Sequence, residues 1–193
     1  MSYVSTMFEQ DTFNVDYEAI REYFPIDSVF SGLFKLIRRL YGIDIERVTE
    51  PVCAKWHEDV VVYSVKEQGN VIGYIFVDCF ARADKRSGAW MDNLVTNGTA
   101  DDDTQILPVA SLVCNFTKGA NGTTPTLGIS DVSTLFHEMG HCLHHIFGKG
   151  TVWGLSGING VEWDAVELPS QMMEYFCDDY GVLRELSHKV TLS

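Results

Sequence analysis

The chain has 193 residues, 46% hydrophobic and 21% charged, which suits one soluble globular unit with a real core. Its 14 basic and 27 acidic residues give a net charge of −13, which argues against nucleic-acid backbones and anionic membranes as partners. No apolar run is long enough to span a bilayer, and a protein without a signal peptide is expected. Cys53, Cys79, Cys114, Cys142 and Cys177 are widely spaced with no C-x-x-C, so reduced, mostly buried thiols and a cytoplasmic location are expected.

Residues 1–15 are polar and aromatic without a clear period, and predict a loose end or a helix remnant. Asp16 to Glu22 predicts one or two helical turns that stop before Pro25. Asp27 or Ser28 would cap the next helix, whose apolar face is Val29, Phe30, Leu33, Phe34, Ile37, Leu40 and Tyr41 and which Gly42 ends. Lys35, Arg38 and Arg39 form its solvated side, near the end where the dipole favours cations.

Val60 to Val65, the turn Glu67-Gln68-Gly69-Asn70, and Val71 to Phe80 predict a hairpin. Gly88-Ala89-Trp90-Met91 predicts a shorter third strand. Gly88 and Ala89 leave room for another backbone and Trp90 offers an apolar wall, so the three are candidates for a sheet edge that holds a peptide. The bland alternative is a buried strand with Trp90 in the core. Thr96 to Thr104, with Asp101-Asp102-Asp103, predicts a solvated loop, and Ile106 to Phe116 a fourth strand. Lys118 to Pro125 is a Gly-rich connector. An α+β fold is expected: one segment, helical over 1–42, a small, mostly antiparallel sheet over about 52–116, and helices over about 130–186.

The last part carries the chemistry. Leu135, Phe136, Met139, Leu143, Ile146 and Phe147 recur at helical spacing, with cap candidates in Ser130-Asp131-Val132-Ser133-Thr134 and stops at Gly148 and Gly150. On that helix lies His137-Glu138-Met139-Gly140-His141. Residues i and i+4 share a face, so His137 and His141 can offer two imidazole nitrogens to one metal ion. Glu138, roughly 100° round the helix, can reach a water on that metal and take its proton. His141 and His145 have the same spacing, but Cys142 stands where the base should be.

A catalytic zinc usually takes three protein ligands and keeps one position open. Downstream, Glu162 and Glu167 are both placed to supply the third by spacing. Glu162 lies close to Gly160, near the expected helix start. Glu167 is flanked by Val166 and Leu168, and an acid in apolar surroundings needs a reason such as a metal. Asp164 could share its face and orient a ligand histidine. The helix from Met172 to Leu186 should pack through Met173, Phe176 and Tyr180, with a kink or boundary at Pro169.

Phe136-His137-Glu138-Met139-Gly140-His141 followed by Val166-Glu167-Leu168-Pro169-Ser170-Gln171 resembles the thimet oligopeptidase family, most of all its bacterial oligopeptidase A branch. Tyr23-Phe24-Pro25, Gly32-Leu33-Phe34, Lys85 to Met91 and Pro108 to Phe116 extend the resemblance over nearly the whole chain. It departs from the family pattern at Met139, where Phe is usual, and at Ser87, where Gly is usual. The resemblance implies a zincin-like catalytic segment that binds one zinc ion through His137, His141 and Glu167, with Glu138 as general base. It also implies hydrolysis of short peptides by metal-activated water.

Family members are several times longer, and later helices supply tyrosine and histidine side chains that stabilise the oxyanion. The chain is therefore expected to be the zinc-bearing middle of a larger enzyme or a pared-down relative. Missing family domains or a self-associated partner chain would complete it. The rival expectation is a zinc-binding segment that is catalytically weak or idle.

Overall fold

The computed structural model describes residues 12, 16–49, 54–100, 102, 104–119, 122–150 and 154–188. The expectations for most of residues 1–15, for Cys53 and for Asp101 and Asp103 lie outside the described residues.

Asp16 opens α1 (Tyr17–Arg21) by accepting the backbone N–H groups of Glu18 and Ala19. The second helix, α2 (Ile26–Tyr41), starts directly after Pro25, so Asp27 sits in its first turn instead of capping it. There its charge still complements the dipole. Gly42, at φ +70°, closes the helix with its N–H on the Arg38 carbonyl, a conformation that costs glycine least. Val29, Leu33 and Ile37 are fully buried, whereas Arg38 and Arg39 pair outward with Asp44 and Glu185.

The chain then enters β1 (Ile43–Arg47), a strand not expected from the sequence, so the sheet begins well before residue 52. Ile43 and Ile45 point inward, and Asp44 and Glu46 point away. The predicted hairpin is present as β2 (Val61–Glu67) and β3 (Asn70–Phe80). Gln68 and Gly69, at φ +50° and +84°, turn between them in the sense that matches strand twist.

β4 (Trp90–Val95) follows, then a two-stranded ribbon of β5 (Gly98–Thr99) and β6 (Gln105–Ile106), then β7 (Val109–Phe116). The predicted strand from Ile106 to Phe116 is thus two strands, interrupted at Leu107 and Pro108. The main sheet has five strands in the order β1-β2-β3-β7-β4. It is mixed: β3 and β7 run parallel, and the other pairings are antiparallel. β7 returns after the β4–β6 excursion and inserts between β3 and β4, so its direction is set by that connection. Buried between neighbours, these two strands are nearly continuously apolar. β4 is an edge strand.

Helix α3 (Ile129–Phe147) lies across the sheet with Val132, Leu135, Phe136, Met139, Cys142, Leu143 and Ile146 buried. Its N-cap is Gly128, whose N–H donates to Asp131 Oδ2; this is the half of a capping box that a glycine can make. Gly148 ends it. The expected helix from Met172 to Leu186 is instead α4 (Leu168–Tyr175), a 3₁₀ turn (Phe176–Asp178) and α5 (Tyr180–Leu186). The break falls at Asp179, which is extended and caps Val182. Met173 is buried and Phe176 packs, but Tyr180 is 78% exposed and does not pack as expected. Among the described residues, no helix is long and apolar enough to cross a membrane.

Alternation along β3 sends Ile75, Val77 and Cys79 to the helix-covered core and Phe76 and Asp78 to the other face. There Trp56 stacks on Phe76, with ring centroids 5.4 Å apart, and donates its Nε1–H to Asp78. Burial alone would raise the Asp78 carboxyl, but hydrogen bonds from Arg82, Trp56 and Lys85 outweigh it and hold the group well below the usual range. The buried Lys85 also donates to the carbonyls of Asp78 and Phe80, and Asn115 donates to those of Arg86 and Gly88. The stretch that leads into the edge strand is therefore pinned from both ends.

Candidate metal centre

Helix α3 places His137 and His141 on one face, with ring centroids 4.8 Å apart and Nε2 atoms 3.1 Å apart. Glu167 arrives from the N-cap of α4, its Oε2 3.3 Å from His137 Nε2 and 3.1 Å from His141 Nε2. One donor atom from each of the three residues lies within 4.8 Å of the others. On the far side of the ring, His137 Nδ1 is 2.5 Å from Glu174 Oε1. An Nδ1–H donated to that carboxylate leaves the Nε2 lone pair turned toward the centre, a tautomer assigned from the partner. Burial lowers the pKa of His141 most, and His137 lowers it further against the opposing effect of Glu167, so its ring favours the neutral form that a metal needs. Two imidazole nitrogens and a carboxylate oxygen converging in this way form a donor set suited to a divalent cation.

Gly140 is what lets the two helices cross closely enough. A Cβ there would meet Ser170 Cα at 2.6 Å and the Pro169 carbonyl at 2.7 Å, both backbone atoms that cannot yield cheaply. Ser170, fully buried at that crossing, has its Oγ 2.9 Å from Glu167 Oε2 and 2.8 Å from the Glu167 carbonyl, so its hydroxyl can hold the carboxylate in place.

Glu138 is 6% exposed beside the cluster. Burial pushes its carboxyl up to about 7; His137 opposes the rise and Glu167 adds to it. A group poised near neutrality can both take and return a proton.

The other sequence candidates fall elsewhere. Glu167 does not sit in apolar surroundings as the flanking residues suggested: its side chain is 49% exposed, and Leu168 is 74% exposed. Glu162 is exposed and lies outside the cluster. Asp164 is exposed and reaches neither histidine; Glu174 makes the contact sought from it. The signal for Glu174 was its i, i+7 relation to Glu167 on one helix face.

His145 is fully buried, donates Nε2–H to the Val95 carbonyl at 2.9 Å and accepts the Ile158 N–H at Nδ1. Both its nitrogens are committed to tying α3 to β4 and to the turn after Ser156. Cys142 is fully buried, and burial pushes its thiol well above the usual value. Gly88 and Ala89 precede the edge strand, and Trp90 begins it, partly exposed with Nε1–H donated to Asp92.

An α+β chain whose two histidines and one carboxylate meet where helices cross falls among the chains equipped to hold a metal ion. The family model of Peptidase family M3 matches residues 1–193, and the chain belongs to that family, whose peptidases are metallopeptidases. It is 40% identical over 178 residues to oligopeptidase A of Salmonella typhimurium, covering 92% of this chain and 26% of that protein. Oligopeptidase A of Escherichia coli is 41% identical over 179 residues, covering 92% of this chain and 26% of its own length. A probable thimet oligopeptidase of Arabidopsis thaliana is 35% identical over 181 residues, 93% of this chain and 25% of the relative. The chain thus spans about a quarter of the length of these curated relatives.

Proposed function

We propose that this chain is the zincin-like, zinc-binding catalytic segment of an oligopeptidase that hydrolyses short peptides with Glu138 as general base. The observation that carries this reading is the convergence of His137, His141 and Glu167 beside a buried Glu138. The relatives named oligopeptidases support peptides as the substrate class. The buried free thiols, together with a relative named a probable cytosolic oligopeptidase A, support a cytoplasmic location.

His137, His141 and Glu167 would hold the ion. Zinc, when bound, supplies a Lewis acid that polarises the scissile carbonyl and acidifies a water. Glu138 accepts the proton of the attacking water and returns it to the leaving amine. The exposed sides of His137 and Glu167 leave the centre open to a substrate.

Metal analysis of the purified protein, paired with a quenched-peptide assay, tests the reading. One equivalent of zinc is expected, with cleavage lost in chelator and regained on adding zinc. A protein that takes up no zinc sinks the reading. One that holds zinc without cleaving favours an idle metal-binding segment of a larger enzyme.

The substrate backbone is proposed to lie along the outer edge of β4, where Gly88, Ala89 and Trp90 meet it, since main-chain hydrogen bonds bind any sequence. Ala89→Pro is then expected to raise KM at least tenfold with zinc content and helix content unchanged. Normal cleavage by this variant would remove the edge from the mechanism.

A further inference from the structure

One ligand histidine is held differently from the other. His141 is wedged into the buried face of α3, its side chain 11% exposed, whereas His137 is 26% exposed and has more room to turn. The element that restrains His137 is α4, through Glu174 Oε1 on His137 Nδ1. The backbone of α4 is itself fixed: Ser170 abuts Gly140, and Met173, the neighbour of Glu174, is 1% exposed in the core. A single short helix thus delivers Glu167 at its start and Glu174 on the same face further along.

We propose that Glu174 is a positioning residue for the metal. Its carboxylate accepts Nδ1–H of His137, selects the tautomer whose Nε2 lone pair faces the centre, and stops the ring from rotating away. The proposal rests on the metal-site reading above but assigns a residue that neither the histidine motif nor the ligand triad contains. Glu174 is 38% exposed at its side chain and opens onto a surface cavity lined by Tyr17, Arg21, Asp131 and Gln171, so replacing it leaves the core untouched.

The test measures zinc affinity by chelator competition for the parent, Glu174→Ala, Glu174→Met, Glu174→Gln and His137→Ala. The melting temperature of each metal-free protein is recorded alongside. Alanine and methionine, which remove the acceptor, are expected to weaken zinc binding 10–100-fold without moving the metal-free melting temperature. Glutamine, which keeps an oxygen acceptor, is expected to fall between them and the parent. Nitrogen-15 spectra of the metal-free proteins should show His137 as the Nδ1–H tautomer in the parent and Gln variant, and a mixture in the Ala and Met variants. A folded Ala or Met variant that binds zinc as tightly as the parent overturns the proposal. If His137→Ala still loses zinc in that experiment, the metal site itself stands. A parent that binds no zinc removes both readings together.

Discussion

His137→Ala and His141→Ala are each expected to abolish zinc retention through gel filtration, with Glu167→Ala close behind, while Glu162→Ala and His145→Ala keep the metal. The geometry sets this order. His137, His141 and Glu167 each point a donor atom into one small volume, and removing any of them leaves too few donors for a catalytic zinc. Glu162 is exposed and outside that volume.

His145 has a different cost. Its side chain ties Val95 and Ile158 to α3, and removing it takes away both hydrogen bonds and a fully buried ring. Each lost hydrogen bond costs about 0.5–1.5 kcal/mol and the emptied site adds to it, so His145→Ala should lower the melting temperature while still binding zinc. Atomic absorption after chelator-free purification reads the metal, and calorimetry reads the stability. Metal loss in a folded His145→Ala equal to that of His137→Ala would make His145 a ligand in place of the proposed pair. Zinc held by Glu167→Ala but lost by Glu162→Ala would reassign the third ligand.

What the sequence made legible follows from what is local. The hairpin of β2 and β3 needs only neighbouring residues and a two-residue turn at Gln68-Gly69, and it reads directly. The spacing of His137 and His141 likewise lies within one helix. β1 was missed although Ile43 and Ile45 alternate with charges, because five residues straight after a helix carry little signal. The parallel pairing of β3 with β7 was not legible, since strand direction depends on a connection that runs through β4, β5 and β6.

Glu167 is the more instructive residue. The apolar flanks Val166 and Leu168 pointed to it, yet Leu168 is exposed and burial is not what places the carboxylate. It reaches the histidines because Gly140 admits α4 and Ser170 holds it there, a tertiary contact that no local pattern displays. Glu174 was hidden for the same reason: periodicity puts it on the face of Glu167, but only the helix crossing brings that face to His137.

Glu138→Gln is expected to retain zinc and fold normally yet lower kcat for a quenched peptide by a factor of about 10²–10⁴. Glutamine matches the shape of the side chain, so the 6% exposed site is not emptied. It removes one property, a basic oxygen able to take a proton. In the parent, burial pushes the Glu138 carboxyl up to about 7, within the range where a carboxylate can exchange a proton. An amide has no such exchange to offer. The measurement is turnover at saturating peptide with zinc content assayed on the same sample, so that lost chemistry is separated from lost metal. A fully zinc-loaded Glu138→Gln that cleaves within tenfold of the parent would require another base. A variant that loses zinc along with activity would mean that Glu138 supports the ligands and does not handle the proton.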